Sequence, residues 1–137
     1  MSHPRPLIEK VRERIHRSGD RVFLMSELRG FGDGRSGVKR VASELVRNNE
    51  LVRLGVGVYA KTRVSTISGK RIMAGPLPDV GREALRKLRI PLVLTGFERE
   101  LRDGRSTQVP TGRVVGVGKR TSRKLSYQGQ ALEFERV

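Results

Sequence analysis

Apolar residues recur along this chain at two spacings, and the switches between them divide it into elements. Leu7, Ile8, Val11 and Ile15 form one stripe of a helix over residues 7–17. Ser18-Gly19-Asp20 ends that helix, with Gly19 as a left-handed cap. Residues 21–24 read as extended, and Met25 opens a short second helix with Ser26 as its N-cap. A glycine-rich turn over residues 29–34 follows. Val38, Val41, Ala42, Leu45 and Val46 are then spaced i, i+3, i+4, i+7, i+8, the period of one helical face, and Asn48-Asn49 ends this third helix. Two β-prone runs, residues 50–54 and 58–61, are joined across Gly55-Val56-Gly57. The order helix, strand, helix, turn, helix, strand, strand within about 60 residues is the outline of a winged helix-turn-helix.

Periodicity lapses from Thr62 to Pro78, where Ser65, Thr66, Ser68, Gly69, Gly75, Pro76 and Pro78 are turn and linker residues and Lys70–Ala74 has the character of a short strand. Beyond it, Asp79 is expected to cap a helix reaching about Arg89, with Val80, Ala84, Leu85 and Leu88 buried. A strand at residues 91–96, a short helix at 97–102 and three strands at 113–117, 124–127 and 131–137 complete the chain, the last two turning at Gly129. The expected class is α+β. A winged helix-turn-helix spans residues 1–63, a linker 64–78, and a small α/β domain with an antiparallel sheet 79–137.

Charge sharpens this outline. The 137 residues carry 29 Lys and Arg against 14 Asp and Glu, a net charge of +15 with a pI near 11.5. That balance favours a polyanionic partner, DNA, RNA or an acidic surface. On a helical projection, Ser36, Arg40, Ser43 and Arg47 fall opposite the apolar stripe, with Lys39 beside them and Glu44 the one acid nearby. Arginine can donate two hydrogen bonds to guanine, while serine and lysine suit phosphates. The expected duplex-DNA contacts are therefore Arg35, Ser36, Lys39, Arg40, Ser43 and Arg47, joined by Arg53, Lys61 and Arg63 on the hairpin that follows.

Residues 1–61 hold 13 Lys and Arg against 7 Asp and Glu, and residues 62–137 hold 16 against 7, so the second half is the more basic. Its densest cluster, Lys119, Arg120, Arg123 and Lys124, is either a second nucleic-acid or partner site or a solvated turn. That excess motivates an alternative reading, a basic RNA- or ribosome-associated protein. Four Phe, two Tyr and no Trp supply few rings for base stacking.

Catalytic and cofactor chemistry find no support in the residues. The absence of cysteine excludes disulfides and thiolate metal sites. His3 and His16 lack partners of the kind a metal or a nucleophile needs, and no phosphate-cradling GxxxxGK[ST] loop is present. No metal, cofactor or enzyme activity is expected. No apolar run approaches the roughly 20 residues of a membrane helix, and the N-terminus lacks a signal-peptide core, so a cytoplasmic location is expected.

Three features together resemble the AbiEi-type antitoxins of abortive-infection and toxin–antitoxin systems, in their short form. One is the third helix running into Glu50-Leu51-Val52-Arg53-Leu54-Gly55-Val56-Gly57-Val58-Tyr59; another is Gln108-Val109-Pro110 leading into a strand. The third is the ending, with Ser122-Arg123, Gly129 and an alternating last strand. The family's Asp-Gly turn before the Ser-Arg pair is replaced here by Gly118-Lys119-Arg120-Thr121, and the resemblance is weakest from Thr62 to Thr107. The resemblance implies an N-terminal winged helix that binds the operator of its own operon and represses it. It also implies a C-terminal domain that helps antagonise a nucleotidyltransferase-like toxin encoded next door, often without a stable complex.

Overall fold

The structure is a computed structural model that describes residues 6–104 and 114–136. His3, the Gln108-Val109-Pro110 segment and Arg113 lie outside the described residues. The chain is mixed α and β and divides into two units, Met1–Gly75 and Pro76–Val137.

The first unit begins with α1 (Leu7–Arg17), β1 (Val22–Leu24) and α2 (Met25–Phe31). It continues with α3 (Val38–Arg47), β2 (Leu51–Gly55), β3 (Val58–Val64) and β4 (Arg71–Met73). β3 is the central strand, antiparallel to β1 and β2 and, at its far end, to β4. The stripe read from the sequence is the face that is buried. Val11 and Ile15 of α1, Leu28 of α2 and Val38, Val41, Ala42 and Leu45 of α3 join Phe23, Leu51 and Tyr59 of the sheet in one core. Each buried Val or Leu contributes about 1.5–3 kcal/mol relative to exposure, so α3 is held mainly by this face.

Two helix ends differ from expectation. Gly19 is not left-handed; α1 stops because Ser18 is extended, and the Ser18 N–H donates to the carbonyls of Arg14 and Ile15. Ser26 does not cap α2. The N-cap is Leu24, two residues earlier, whose N–H donates to the Glu27 carboxylate at 2.9 Å, while the Met25 N–H donates to the Gly57 carbonyl.

The expected linker over residues 64–78 is not one. Val64 completes β3, β4 pairs back onto it in the register Thr62↔Met73, and the first unit extends to Gly75. The short strand read at Lys70–Ala74 exists as Arg71–Met73.

The second unit contains α4 (Leu77–Lys87), β5 (Leu92–Val93), α5 (Gly96–Arg102), β6 (Val114–Val117), β7 (Ser126–Tyr127), β8 (Gln130–Ala131) and β9 (Glu133–Arg136). Asp79 lies in the first turn of α4 rather than at its cap, which is Pro76, and the helix ends before Arg89, whose φ is 60°. Leu77, Val80, Gly81, Ala84 and Leu85 are buried, while Leu88 is only half-buried.

The antiparallel sheet expected here is instead mixed. β6 is antiparallel to β5 but parallel to β9, and β7 and β8 form a separate two-stranded hairpin turned at Gln128-Gly129. The reason lies at Leu132. It turns inward, 5% exposed, and its N–H donates to the Leu125 carbonyl, which breaks the last run into β8 and β9. The freed end then lies along β6 in its own register.

Gly116 lets β5 and β6 approach closely, since a Cβ there would sit 2.3 Å from the Val93 carbonyl oxygen and 3.0 Å from the Thr95 nitrogen. Both are backbone atoms that cannot swing away. Gly116→Ala is therefore expected to destabilise the second unit by about 2–3 kcal/mol. Gly30→Ala, a helical position with nothing within 4 Å, should be neutral or stabilising by about 0.5–1 kcal/mol. Urea unfolding of both variants checks the contrast.

Candidate nucleic-acid interface

α3 is the best-defined surface element of the first unit because its other face is fully committed to the core. Gly37, with φ 96°, brings the chain into the helix, and it carries no side chain that could cap the first turn. The first turn contains no acid and the last carries Arg47. Arg35 and Ser36 lie on the approach, and Lys39, Arg40, Ser43 and Arg47 on the helix; all six are exposed, as expected. The Ser43 hydroxyl donates to the Lys39 carbonyl at 3.2 Å, which keeps the side chain short against the helix and the surface around it low. Arg35, Ser36, Gly37, Arg40, Val41 and Glu44 line a shallow groove of about 300 Å³ together with Leu7 and Ile8 of α1.

Acids near this face are drawn away from it by α1. Arg12 forms a two-pronged bond to Glu50, Nε to Oε1 at 2.7 Å and Nη2 to Oε2 at 2.9 Å. This hydrogen bond raises the Arg12 pKa above its ordinary value. Asp33 pairs with Lys10 and, at 3.4 Å, with Arg14. The Lys10 hydrogen bond holds the Asp33 carboxyl below the usual carboxylate range. Both acids are thus matched by α1 cations. Glu44 is the one acid that α3 itself presents.

The three hairpin cations do not act alike. Arg53 is exposed on the outer strand β2, near the β2–β3 turn, with its Nε donating to the Gly55 carbonyl at 3.3 Å. Lys61 is half-buried, and its ammonium donates to the Ser18 carbonyl at 2.7 Å. It ties β3 to the end of α1 and is not a surface cation of the turn. Arg63 is exposed but faces Ile72 across the β3–β4 pair, about 20 Å along the strand from Gly57. The three cations expected together on one hairpin are separated by the length of β3.

Two further exposed cations, Lys70 and Arg71, lie beyond the expected set, in the β3–β4 hairpin. The signal for them was present in the chain, since no Asp or Glu occurs from Leu51 to Pro78 while five Lys and Arg do. Lys119, Arg120, Arg123 and Lys124 of the second unit are all exposed, in the segment between β6 and β7, where the Arg123 N–H donates to the Thr121 hydroxyl. Among the described residues no three His, Cys, Asp or Glu side chains gather as a metal set would, and no helix is long and apolar enough to cross a membrane.

Compared with family models, with curated proteins and with solved structures, the chain matches none.

The different placements of the cations can be separated by stability. Lys61→Ala should cost about 1–2 kcal/mol, the usual worth of a half-buried hydrogen bond from a charged group. Arg40→Ala and Arg47→Ala should stay within about 0.5 kcal/mol of the parent, as exposed substitutions do. Chemical denaturation of the three variants measures this; equal costs would remove the distinction.

Proposed function

We propose that the first unit is a winged helix-turn-helix that binds duplex DNA, with α3 as the helix that enters the major groove. The observation that carries this reading is the division of α3. One face is buried by Val38, Val41, Ala42 and Leu45, and the other exposes Lys39, Arg40, Ser43 and Arg47 with Glu44 as its single acid. The element order and the antiparallel β1-β3-β2 sheet support it. In this reading Arg40, Ser43 and Arg47 face base edges. Ser36 and Lys39 hold phosphates near the start of the helix, where the helix dipole adds to the attraction. Arg53 takes backbone phosphate beside the β2–β3 turn, and Arg35 extends the basic approach.

The resemblance to AbiEi-type antitoxins extends the proposal. The DNA is then the operator of the protein's own operon, and binding represses it. The second unit serves antagonism of a nucleotidyltransferase-like toxin. Its exposed Lys119, Arg120, Arg123 and Lys124 are the residues of that unit best suited to an acidic partner. The same cluster is the observation that favours the second reading, an RNA-associated protein. Preference for structured RNA over duplex DNA in direct competition would select that reading.

Neutralising about six phosphates predicts that log affinity for a mixed-sequence duplex falls with log salt at a slope near −5. A flat salt response contradicts the proposal. Arg40→Ala is expected to lose about 1–3 kcal/mol on a selected site and much less on random duplex, whereas Arg53→Ala should weaken both alike. Equal losses on every sequence from Arg40→Ala would remove it from base contact. For the wider reading, a reporter driven by the promoter upstream of the gene should be repressed by the protein and released by Arg40→Ala.

A further inference from the structure

The β3–β4 hairpin ends in a tight loop over residues 65–70 whose tip is aliphatic. Ile67 is 97% exposed, the most exposed large apolar side chain of the described residues. Its exposure is built in. The Ser65 N–H donates to the Lys70 carbonyl and the Gly69 N–H to the Ser65 carbonyl. The Ser65 hydroxyl oxygen accepts from the N–H groups of Ile67 and Ser68, and the Ser68 hydroxyl oxygen accepts from Lys70. Gly69, at φ 72°, closes the loop. The N–H groups of Ser65, Ile67, Ser68, Gly69 and Lys70 are thus bonded inside the loop, while the aliphatic side chain of Ile67 is directed into water. Val64, on the stem, is 54% exposed.

The surroundings are cationic. Arg63, Lys70 and Arg71 are exposed around the stem, and the stretch from Leu51 to Pro78 contains no acid. The stem is also fastened to the end of α3. The Thr62 hydroxyl donates to the Asn49 carbonyl at 2.7 Å, and Arg71 Nη1 donates to the Thr62 oxygen at 3.2 Å. The base of the hairpin therefore stands beside the turn that follows Arg47. β3 places the start of the 65–70 loop, at Val64, about 23 Å from Gly57 in the β2–β3 turn, so the two hairpin ends bracket the sheet.

We propose that the β3–β4 hairpin is a second DNA-contacting arm, which sets Ile67 as an apolar wedge against a minor-groove base step while Arg63 and Lys70 take the flanking phosphates. This rests on the duplex-DNA reading of α3 but assigns a separate element and a separate consequence, a bend. Minor-groove proteins insert single aliphatic side chains between base steps and kink the duplex by about 20–90°. An isoleucine held out at the tip of a stem that exposes Arg63 and Lys70 fits that use. An interfacial membrane segment presents a broad apolar face, and a protein interface needs a larger apolar core than one side chain.

The test is end-to-end fluorescence energy transfer on a mixed-sequence duplex of about 30 base pairs containing central TA steps, which kink easily. The full chain, Ile67→Ala and Arg40→Ala are compared at saturating protein. The parent should shorten the end-to-end distance. Ile67→Ala should bind about tenfold more weakly and leave the duplex straight even when saturated, whereas Arg40→Ala, once saturated, should still bend it. Ile67 is exposed, so its variant should keep the parent's melting temperature within about 2 °C. A parent that binds with a straight duplex, or an Ile67→Ala that bends as the parent does, overturns the arm while leaving the α3 reading intact. Failure of the parent to bind duplex at all removes both. Unchanged bending with loss of binding to vesicles of equal phosphatidylserine and phosphatidylcholine would assign Ile67 to a lipid surface and overturn the proposal.

Discussion

Burial of Val38, Val41, Ala42 and Leu45 against Val11, Ile15, Leu28 and Leu51 sets the rotation of α3 about its own axis. A helix has only about 100° per residue to distribute, so committing these positions to the core commits Lys39, Arg40, Ser43 and Arg47 to the surface. No separate interaction needs to aim them. Turning α3 by a quarter turn would expose Leu45 or bury Arg40, and each alternative costs several kcal/mol. The rest of the unit supports this seat. Lys61 fastens β3 to the end of α1, Arg12 fastens α1 to the α3–β2 junction through Glu50, and Thr62 fastens β3 to Asn49 at the end of α3.

The same side-chain bonds shape the electrostatics. Glu50 pairs with Arg12, and Asp33 with Lys10 and Arg14, all three cations of α1. These pairs are partly exposed and individually modest in energy. Their larger effect is on the field, because they match Glu50 and Asp33 beside α3, whose outward side carries a surplus of positive charge.

The long helices and the β2–β3 hairpin were legible in the sequence because their signals are local. α1 spans the residues its stripe predicted, and the apolar period of α3 marks its buried face directly. What failed was decided by partners distant along the chain. β4 is three residues in a glycine- and serine-rich run, and only pairing with β3 makes it a strand. The parallel β6–β9 pair could not be read from alternation, which is the same for parallel and antiparallel neighbours. For the site, the exposed residues of α3 followed from periodicity. The role of Lys61 did not, because nothing local says that Ser18 lies within reach of its ammonium. Ile67 and Lys70 were passed over for a related reason: a loop composition hides whether a side chain is held out or tucked in.

Contact between the exposed face of α3 and duplex DNA is the proposal on which the others rest. Amide chemical-shift mapping of the full chain against a mixed-sequence duplex tests it most directly, since it reports every element at once. The largest shifts are expected from Arg35 to Arg47 and around Arg53–Gly57, with smaller ones over the β3–β4 loop. Shifts confined to residues 76–137, or none on α3 at saturation, would contradict it.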